Sequence, residues 1–331
     1  MLAERLILYK QLEEKRKSQV LVYITGDRRG LEAVIGSDVY DFFVNQLDKI
    51  GATPKISLYL YTRGGDTLAA WSIINLIKQF TDEIEVIAPS KCHSAGTLIS
   101  LGAKQIIMTK QATLGPIDPS INHPLNPQIP FGPPGVTAQI SVEAIEGYIQ
   151  LMKRECEFNK KHDTNKLMEL LSQNIHPAVL GQVYRTKTQI KMLSKRLLAD
   201  QVKNNDKIDN IINFLCSGSG SHDYTIHRRE ARDELGLNIE KPDEELYKII
   251  KAIYDDIERE LELTTAFDPN QILGSNQTKT YSVKRALIES IPGGGYYFLS
   301  EGILSRQIIQ IPPGMVQQVI NDQRTFEGWK Q

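Results

Sequence analysis

The sequence predicts an α/β fold built on a mostly parallel sheet. Continuous apolar, β-rich runs stand at residues 20–25, 55–62, 84–89 and 105–110, helical periods separate them, and turn residues mark the junctions. Strands that are apolar without alternation are covered on both faces, as a parallel sheet flanked by helices requires. VLVYIT (20–25) is the first such strand. After a polar loop, SDVYDFFVNQLDKI has helical spacing, with Ser37 placed to cap it. KISLYLYT (55–62) leads into the turn Arg63-Gly64-Gly65-Asp66 and the helix TLAAWSIINLIKQF, for which Asp66 or Thr67 is the cap. IEVIAP (84–89) is the third strand, KCHS a turn, AGTLISLGA a short small-residue helix, and QIIMTK the fourth strand.

Residues 116–134 break this alternation. They hold seven of the fifteen prolines, so an extended excursion is expected there and not a helix. A helical segment follows over 142–200, interrupted near Asn174–Pro177, and then the tract Ser217-Gly218-Ser219-Gly220-Ser221. The run 244–263 has the charge pattern of a half-exposed surface helix, and 290–314 reads as a hairpin set against the core. We therefore expect a first domain over 1–240 and a C-terminal helix and hairpin extension over 241–331.

Composition narrows the function. The 331 residues carry 39 Lys+Arg against 40 Asp+Glu, a net charge of -1, which offers nucleic acid no global attraction. No apolar run approaches the ~18 residues of a membrane span, and the N-terminus reads as an amphipathic helix, not a signal peptide. Cys92, Cys156 and Cys216 form neither a CxxC pair nor an even framework, so a reduced, cytoplasmic protein is expected. There is no GxxxxGK[ST], strand-borne GxGxxG, HExxH or GxSxG motif. His93, His123 and His222 share no ligand spacing, and neither a metal nor a cofactor is expected.

Two strand-to-helix junctions carry chemistry. At Gly64-Gly65 the missing Cβ atoms let the backbone turn sharply and bring its N–H groups close to a ligand. At Ser94-Ala95-Gly96 a hydroxyl opens a helix, where unpaired N–H groups favour negative charge. Acyl transfer needs that combination, a nucleophile beside donors aimed at the developing oxyanion. Taken alone, each junction also suits a plain tight turn and a plain N-cap.

In series, strand-Arg63-Gly64-Gly65-Asp66-helix, strand-His93-Ser94-Ala95-Gly96-helix and Leu114-Gly115-Pro116-Ile117-Asp118-Pro119 resemble the Clp-protease/crotonase superfamily. Within it the chain is similar to the serine dehydrogenase proteinase family, relatives of signal peptide peptidase A, over about residues 15–240. The later segment His222-Asp223-Tyr224-Thr225-Ile226, with Glu230-Ala231 and Gly236-Leu237, resembles that family's HDYPI…EA…GL element, with Thr225 in place of its proline. The resemblance implies a repeated ββα superhelix carrying a helical insertion and the C-terminal extension. It also implies a serine peptidase acting on peptide or protein substrates as a homo-oligomer. Ser94 matches the nucleophile, Gly64-Gly65 the oxyanion turn with Ala95 N–H as second donor, and Asp223 the catalytic aspartate.

The base does not match. The Clp-type histidine falls at Pro116 or Ile117, and no lysine lies between Lys110 and Lys153 to serve as in signal peptide peptidase A relatives. His222, beside Asp223, is the first choice; Asp118, His123 and a lysine such as Lys187 are the alternatives. Two other readings stay open, a crotonase-like acyl-CoA enzyme and a non-catalytic scaffold that keeps the fold.

Overall fold

The apolar runs lie side by side in one eight-stranded sheet. In the computed structural model, residues 2–117, 120–129, 136–156, 161–218, 220–221, 223–311 and 315–331 are described. In chain order the strands are β1 (Gln19–Thr25), β2 (Ile56–Tyr61), β3 (Ile84–Ala88), β4 (Lys91–Cys92), β5 (Gln105–Met108), β6 (Thr113–Leu114), β7 (Ser120–Ile121), β8 (Ile140–Ser141), β9 (Ile226–His227), β10 (Ile239–Glu240), β11 (Thr278–Ser290), β12 (Gly294–Ile311) and β13 (Met315–Lys330). The helices are α1 (Leu2–Arg16), α2 (Tyr40–Ile50), α3 (Thr67–Ile77), α4 (Ala95–Leu101), α5 (Val142–Arg154), α6 (Lys161–Asn174), α7 (Pro177–Leu198), α8 (Asn205–Asn213), α9 (Glu244–Leu261) and α10 (Pro269–Leu273). They form two compact units, Met1–Leu114 with His227–Gln331, and Gly115–Ile226.

In the first unit the sheet order is β10-β5-β3-β2-β1-β11-β12-β13. From β10 to β1 every pairing is parallel; from β1 to β13 every pairing is antiparallel. The tail segment 290–314, expected as a hairpin, carries the end of β11 and the single strand β12. β12 pairs antiparallel with β11 on one side and β13 on the other, and the set enters the sheet through β1, with Leu21 opposite Ser290 and Thr25 opposite Ala286. Every residue of β2 and β3 is buried, which explains their lack of alternation. Alternate side chains divide between two layers. Val20, Val22, Ile24, Tyr59 and Tyr61 pack with Tyr9 and Leu12 of α1 and with Leu246, Ile250, Ile253 and Ile257 of α9. Tyr23, on the other face, meets Phe43 of α2 edge-on at 5.1 Å.

The caps follow local chemistry with one correction. Asp66 caps α3, its Oδ1 accepting from Ala69 N at 2.7 Å, and Asp243 caps α9 by the same bond to Leu246 N. Ser37 does not cap the helix expected after it. It opens a short 3₁₀ turn, Ser37–Val39, and α2 starts only at Tyr40 with no side-chain cap.

Helix α1 is fastened by buried ion pairs. Arg5, fully buried, donates to both oxygens of Glu289 at 3.0 and 2.6 Å, and also meets Asp256 and Glu260. Tyr9 and Tyr297 donate to the same Glu289 carboxylate. At its other end Arg16 spans Glu85 and Glu240, while Lys55 and Ser57 complete the shell of Glu85. Burial raises the Glu85 carboxyl pKa, but the bonds from Arg16, Lys55 and Ser57 outweigh it and hold the group below its ordinary value.

The second unit is the expected helical insertion. Strands β7 and β8 pair antiparallel, and Ile121, Ile140, Val142, Ile145, Val179 and Val183 form its core. The expected interruption is the break between Asn174 and Pro177, where Pro177 opens α7 and the His176 ring accepts from Ala178 N at 3.2 Å. Among the described residues no helix is long and apolar enough to cross a membrane.

Two predictions follow from the ion pairs. Arg5→Met strands the buried Glu289 charge and lowers stability by ~3 kcal/mol, measured by urea unfolding at neutral pH. For Glu85, whose pKa is depressed on folding, the stabilisation is complete above its unfolded value of ~4.3. It disappears as pH falls through the lower folded value. Glu85→Gln is therefore less stable at neutral pH and loses less on acidification; equal acid slopes for the two proteins would refute the assignment.

Candidate active site

The site is built where β2 and β4 run out into turns. Thr62, just past β2 and fully buried, donates its N–H to Lys91 O and accepts from His93 N, both at 3.0 Å. Its hydroxyl accepts from Thr25 Oγ1 at 2.6 Å and from Gly64 N at 3.0 Å. One threonine thus ties β1, the Gly64-Gly65 turn and the strand entering the Ser94 turn. Gly96, in the first turn of α4, lies against the Thr62 methyl, where a Cβ would come within 2.4 Å of Cγ2.

The Gly-Gly turn is wedged between two neighbours. A Cβ on Gly64, whose φ is +123°, would stand 2.7 Å from Ser94 Cβ and 3.2 Å from its Oγ. A Cβ on Gly65, whose φ is +142°, would stand 2.3 Å from Ile35 O. Ile35 clamps the turn from that side, donating to Gly64 O and accepting from Asp66 N, each at 2.8 Å. Glycine is required twice here, for the left-handed backbone and for the space.

Ser94 has φ +50° and ψ -112°, a conformation that strains a residue with a Cβ. Its carbonyl accepts from Leu98 N at 3.0 Å and so starts α4, but its hydroxyl makes no cap bond. Among the described residues nothing bonds that hydroxyl, and neither Gly65 N–H nor Ala95 N–H meets an acceptor. Ser94 is partly exposed and stands at the start of α4, with Ala95 next in the chain and the Gly64-Gly65 turn packed against it. The neighbours are occupied. The His93 ring bonds Thr113 Oγ1 at 2.8 Å, Lys91 pairs with Asp27, and burial pushes the Cys92 thiol up to about 12, leaving it an inert thiol.

The residues expected in the first unit come together: Gly64 against Ser94, Gly65 next in the turn, Ala95 directly after the serine. The others belong to the second unit. Asp223 is exposed and its N–H donates to Ser221 Oγ at 3.2 Å. His123 accepts from Leu125 N at 3.1 Å, and Lys187 pairs with Glu146 at 2.7 Å. His222 and Asp118 lie outside the described residues. Among the described residues no three His, Cys, Asp or Glu side chains gather as a metal-ligand group. Sequence reasoning missed Thr62 and Ile35. A threonine two residues before a glycine is a side-chain turn signal that could have exposed Thr62. Ile35 sits in a loop, and nothing local marks it.

The profile of a family described as ClpP-like SDH-type serine proteinase matches residues 1–130. The uncharacterised protein MJ0137 of Methanocaldococcus jannaschii is 30% identical over 256 residues, 75% of this chain and 77% of its own length. The chain belongs to the ClpP-like SDH-type serine proteinase family. A second uncharacterised protein of that organism, MJ1495, is 26% identical over 244 residues, 71% of each chain. Among solved structures, an alanine variant of the 1510-N membrane-bound stomatin-specific protease is 17% identical and covers 70% of this chain and 85% of its own, with a TM-score of 0.38. ClpP1 from Listeria monocytogenes is 13% identical and covers 72% and 99%, with a TM-score of 0.37. Membership supports a serine peptidase, and the α/β fold with its large, mostly parallel sheet agrees with the fold expected from the sequence.

The strain at Ser94 is measurable. Ser94→Gly removes the Cβ that makes this backbone costly, whereas Ser94→Ala keeps it. The glycine variant is therefore expected to be more stable than the alanine variant by ~1 kcal/mol, the ~1–3 kcal/mol of strain less glycine's entropy. Equal stabilities in urea unfolding would mean the residue is not strained. Gly64→Ala displaces Ser94 and is expected to lower stability by ~1–3 kcal/mol together with any reactivity of the serine.

Proposed function

We propose that the chain hydrolyses peptide bonds through an acyl-enzyme on Ser94. The observation that carries this reading is Ser94, strained at φ +50°, packed against the Gly64-Gly65 turn and with a hydroxyl that meets no partner among the described residues. Strain of this kind persists where surrounding structure over-determines it, and it clusters at reactive residues. In the reaction Ser94 Oγ attacks the substrate carbonyl carbon and gives its proton to the base. The carbonyl oxygen becomes an oxyanion held by Gly65 N–H and Ala95 N–H. The tetrahedral species collapses as the amine leaves with that proton, and water then cleaves the ester by the same steps. Each amide donor is worth ~2.7–4 kcal/mol to the transition state.

His222 is the proposed base, with Asp223 as its orienting carboxylate. This rests on the sequence element they share and on the lack of a histidine or lysine where related enzymes keep theirs. Lys187, the lysine alternative, already has Glu146 as its partner. The substrate is a peptide or protein, and the working form is a cytoplasmic homo-oligomer, both by analogy with the family. A crotonase-like enzyme would use the oxyanion amides without a serine; the strained Ser94 favours the peptidase.

Intact-mass analysis after fluorophosphonate treatment tests the nucleophile. One adduct is expected on the wild type and none on Ser94→Ala; an adduct retained by the variant, or absent from the wild type at every pH, refutes the proposal. With a histidine base the labelling rate rises with a midpoint near ~6.5, because only the neutral ring accepts the proton. His222→Gln is expected to slow labelling ~10²–10⁴-fold.

A further inference from the structure

The helical unit holds a cavity that the peptidase reading does not use. It encloses about 430 Å³ between α5, α6 and α7, inside the ~300–1,000 Å³ range of small-molecule sites. Its walls are apolar, with Ile145, Ile149, Leu171, Leu180 and Val183 continuing the core of the unit to its surface. At its edge Met168 and Tyr184 stand 46% and 74% exposed, apolar side chains that the fold leaves uncovered.

The charged groups around it are unequal. Lys153, Lys187 and Lys191 line it, and Glu146 is the one acid among the lining residues. Glu146 is taken by Lys187 at 2.7 Å. The Lys191 ammonium donates to the neutral Asn213 Oδ1 at 2.9 Å, and Lys153 has no partner among the described residues. Among the described lining residues three cations thus stand against one anion, Glu146, which interacts electrostatically with Lys191 as well as Lys187. An apolar pocket with cations at its edge is complementary to one kind of small molecule, an alkyl chain ending in an anion.

We infer that this cavity binds a single-chain anionic amphiphile of the fatty carboxylate class, the tail between α5, α6 and α7 and the carboxylate on Lys153 and Lys191. The alkyl chain replaces water over Ile149, Leu171 and Leu180, and the thioether of Met168 adapts to its shape. The inference does not depend on Ser94, because the cavity lies wholly within the second unit and binding is read without turnover.

The test is displacement of a dansylated undecanoate from the purified full chain by octanoate, decanoate and dodecanoate below their micelle concentrations. We expect one site per chain and an affinity that rises about fourfold per added methylene. Lys153→Gln and Lys191→Gln, both surface changes, are each expected to weaken binding about three- to fivefold. Leu180→Trp is expected to fill the cavity and abolish binding while the far-UV circular dichroism is unchanged. Four results overturn the proposal: no saturable site, equal affinity for dodecyltrimethylammonium, tighter displacement by an acidic amphipathic peptide, or loss of the site when the chain self-associates. Binding to anionic vesicles without binding of the free carboxylates also overturns it, since the surface would then be reading a membrane.

Discussion

The approach of Gly64 to Ser94 is the constraint on which the candidate site depends. A Cβ at Gly64 would fall 2.7 Å from the Ser94 Cβ, so the two turns meet only because one of them is glycine. Thr62 makes the approach a fixed one. Its hydroxyl holds Gly64 N and Thr25, and its backbone pairs with the residues leading into Ser94. Neither turn can move without breaking bonds buried at the end of the parallel strands. A strained serine survives in such a setting because the surrounding bonds outweigh the ~1–3 kcal/mol it costs.

The same logic recurs beneath α1 with charge in place of shape. Arg5 and Arg16, near the two ends of α1, reach carboxylates on β11 and β3 that have almost no exposure. A buried pair contributes little net stability compared with apolar packing, but losing one partner is severe. The pairs join α1 near both its ends to β11 and β3. They also show how a chain of net charge -1 distributes its charges, with several spent inside on register and not on an external field.

The helical unit differs in kind. Its core is small, and the apolar surface beneath α5, α6 and α7 runs out to a partly open cavity edged by lysines. Packing of the first unit is closed by long apolar strands and two covering layers. The second unit has only short strands, and its helices leave side chains such as Tyr184 outside. An insertion built this way has apolar surface to offer a ligand.

What the sequence determined by itself is what short range dictates. Unbroken apolar runs specified buried parallel strands, because a two-sided covering leaves no polar face. Asp66 at the mouth of a helical period was legible as a cap, and Gly64-Gly65 and Ser94 were legible as two strand-to-helix junctions in series. Ser37 was misread because a cap needs the backbone to enter the helix at once, and the 3₁₀ turn that intervenes is not written in residue type. Tertiary structure decided the rest. The left-handed φ of Ser94, the clamp from Ile35 and the role of Thr62 arise from contacts between segments distant in sequence, and propensity carries no information about them. Residue types and their spacing chose the strands, helices and turns of this protein; only the closing of those turns on one another decided that its serine would be strained.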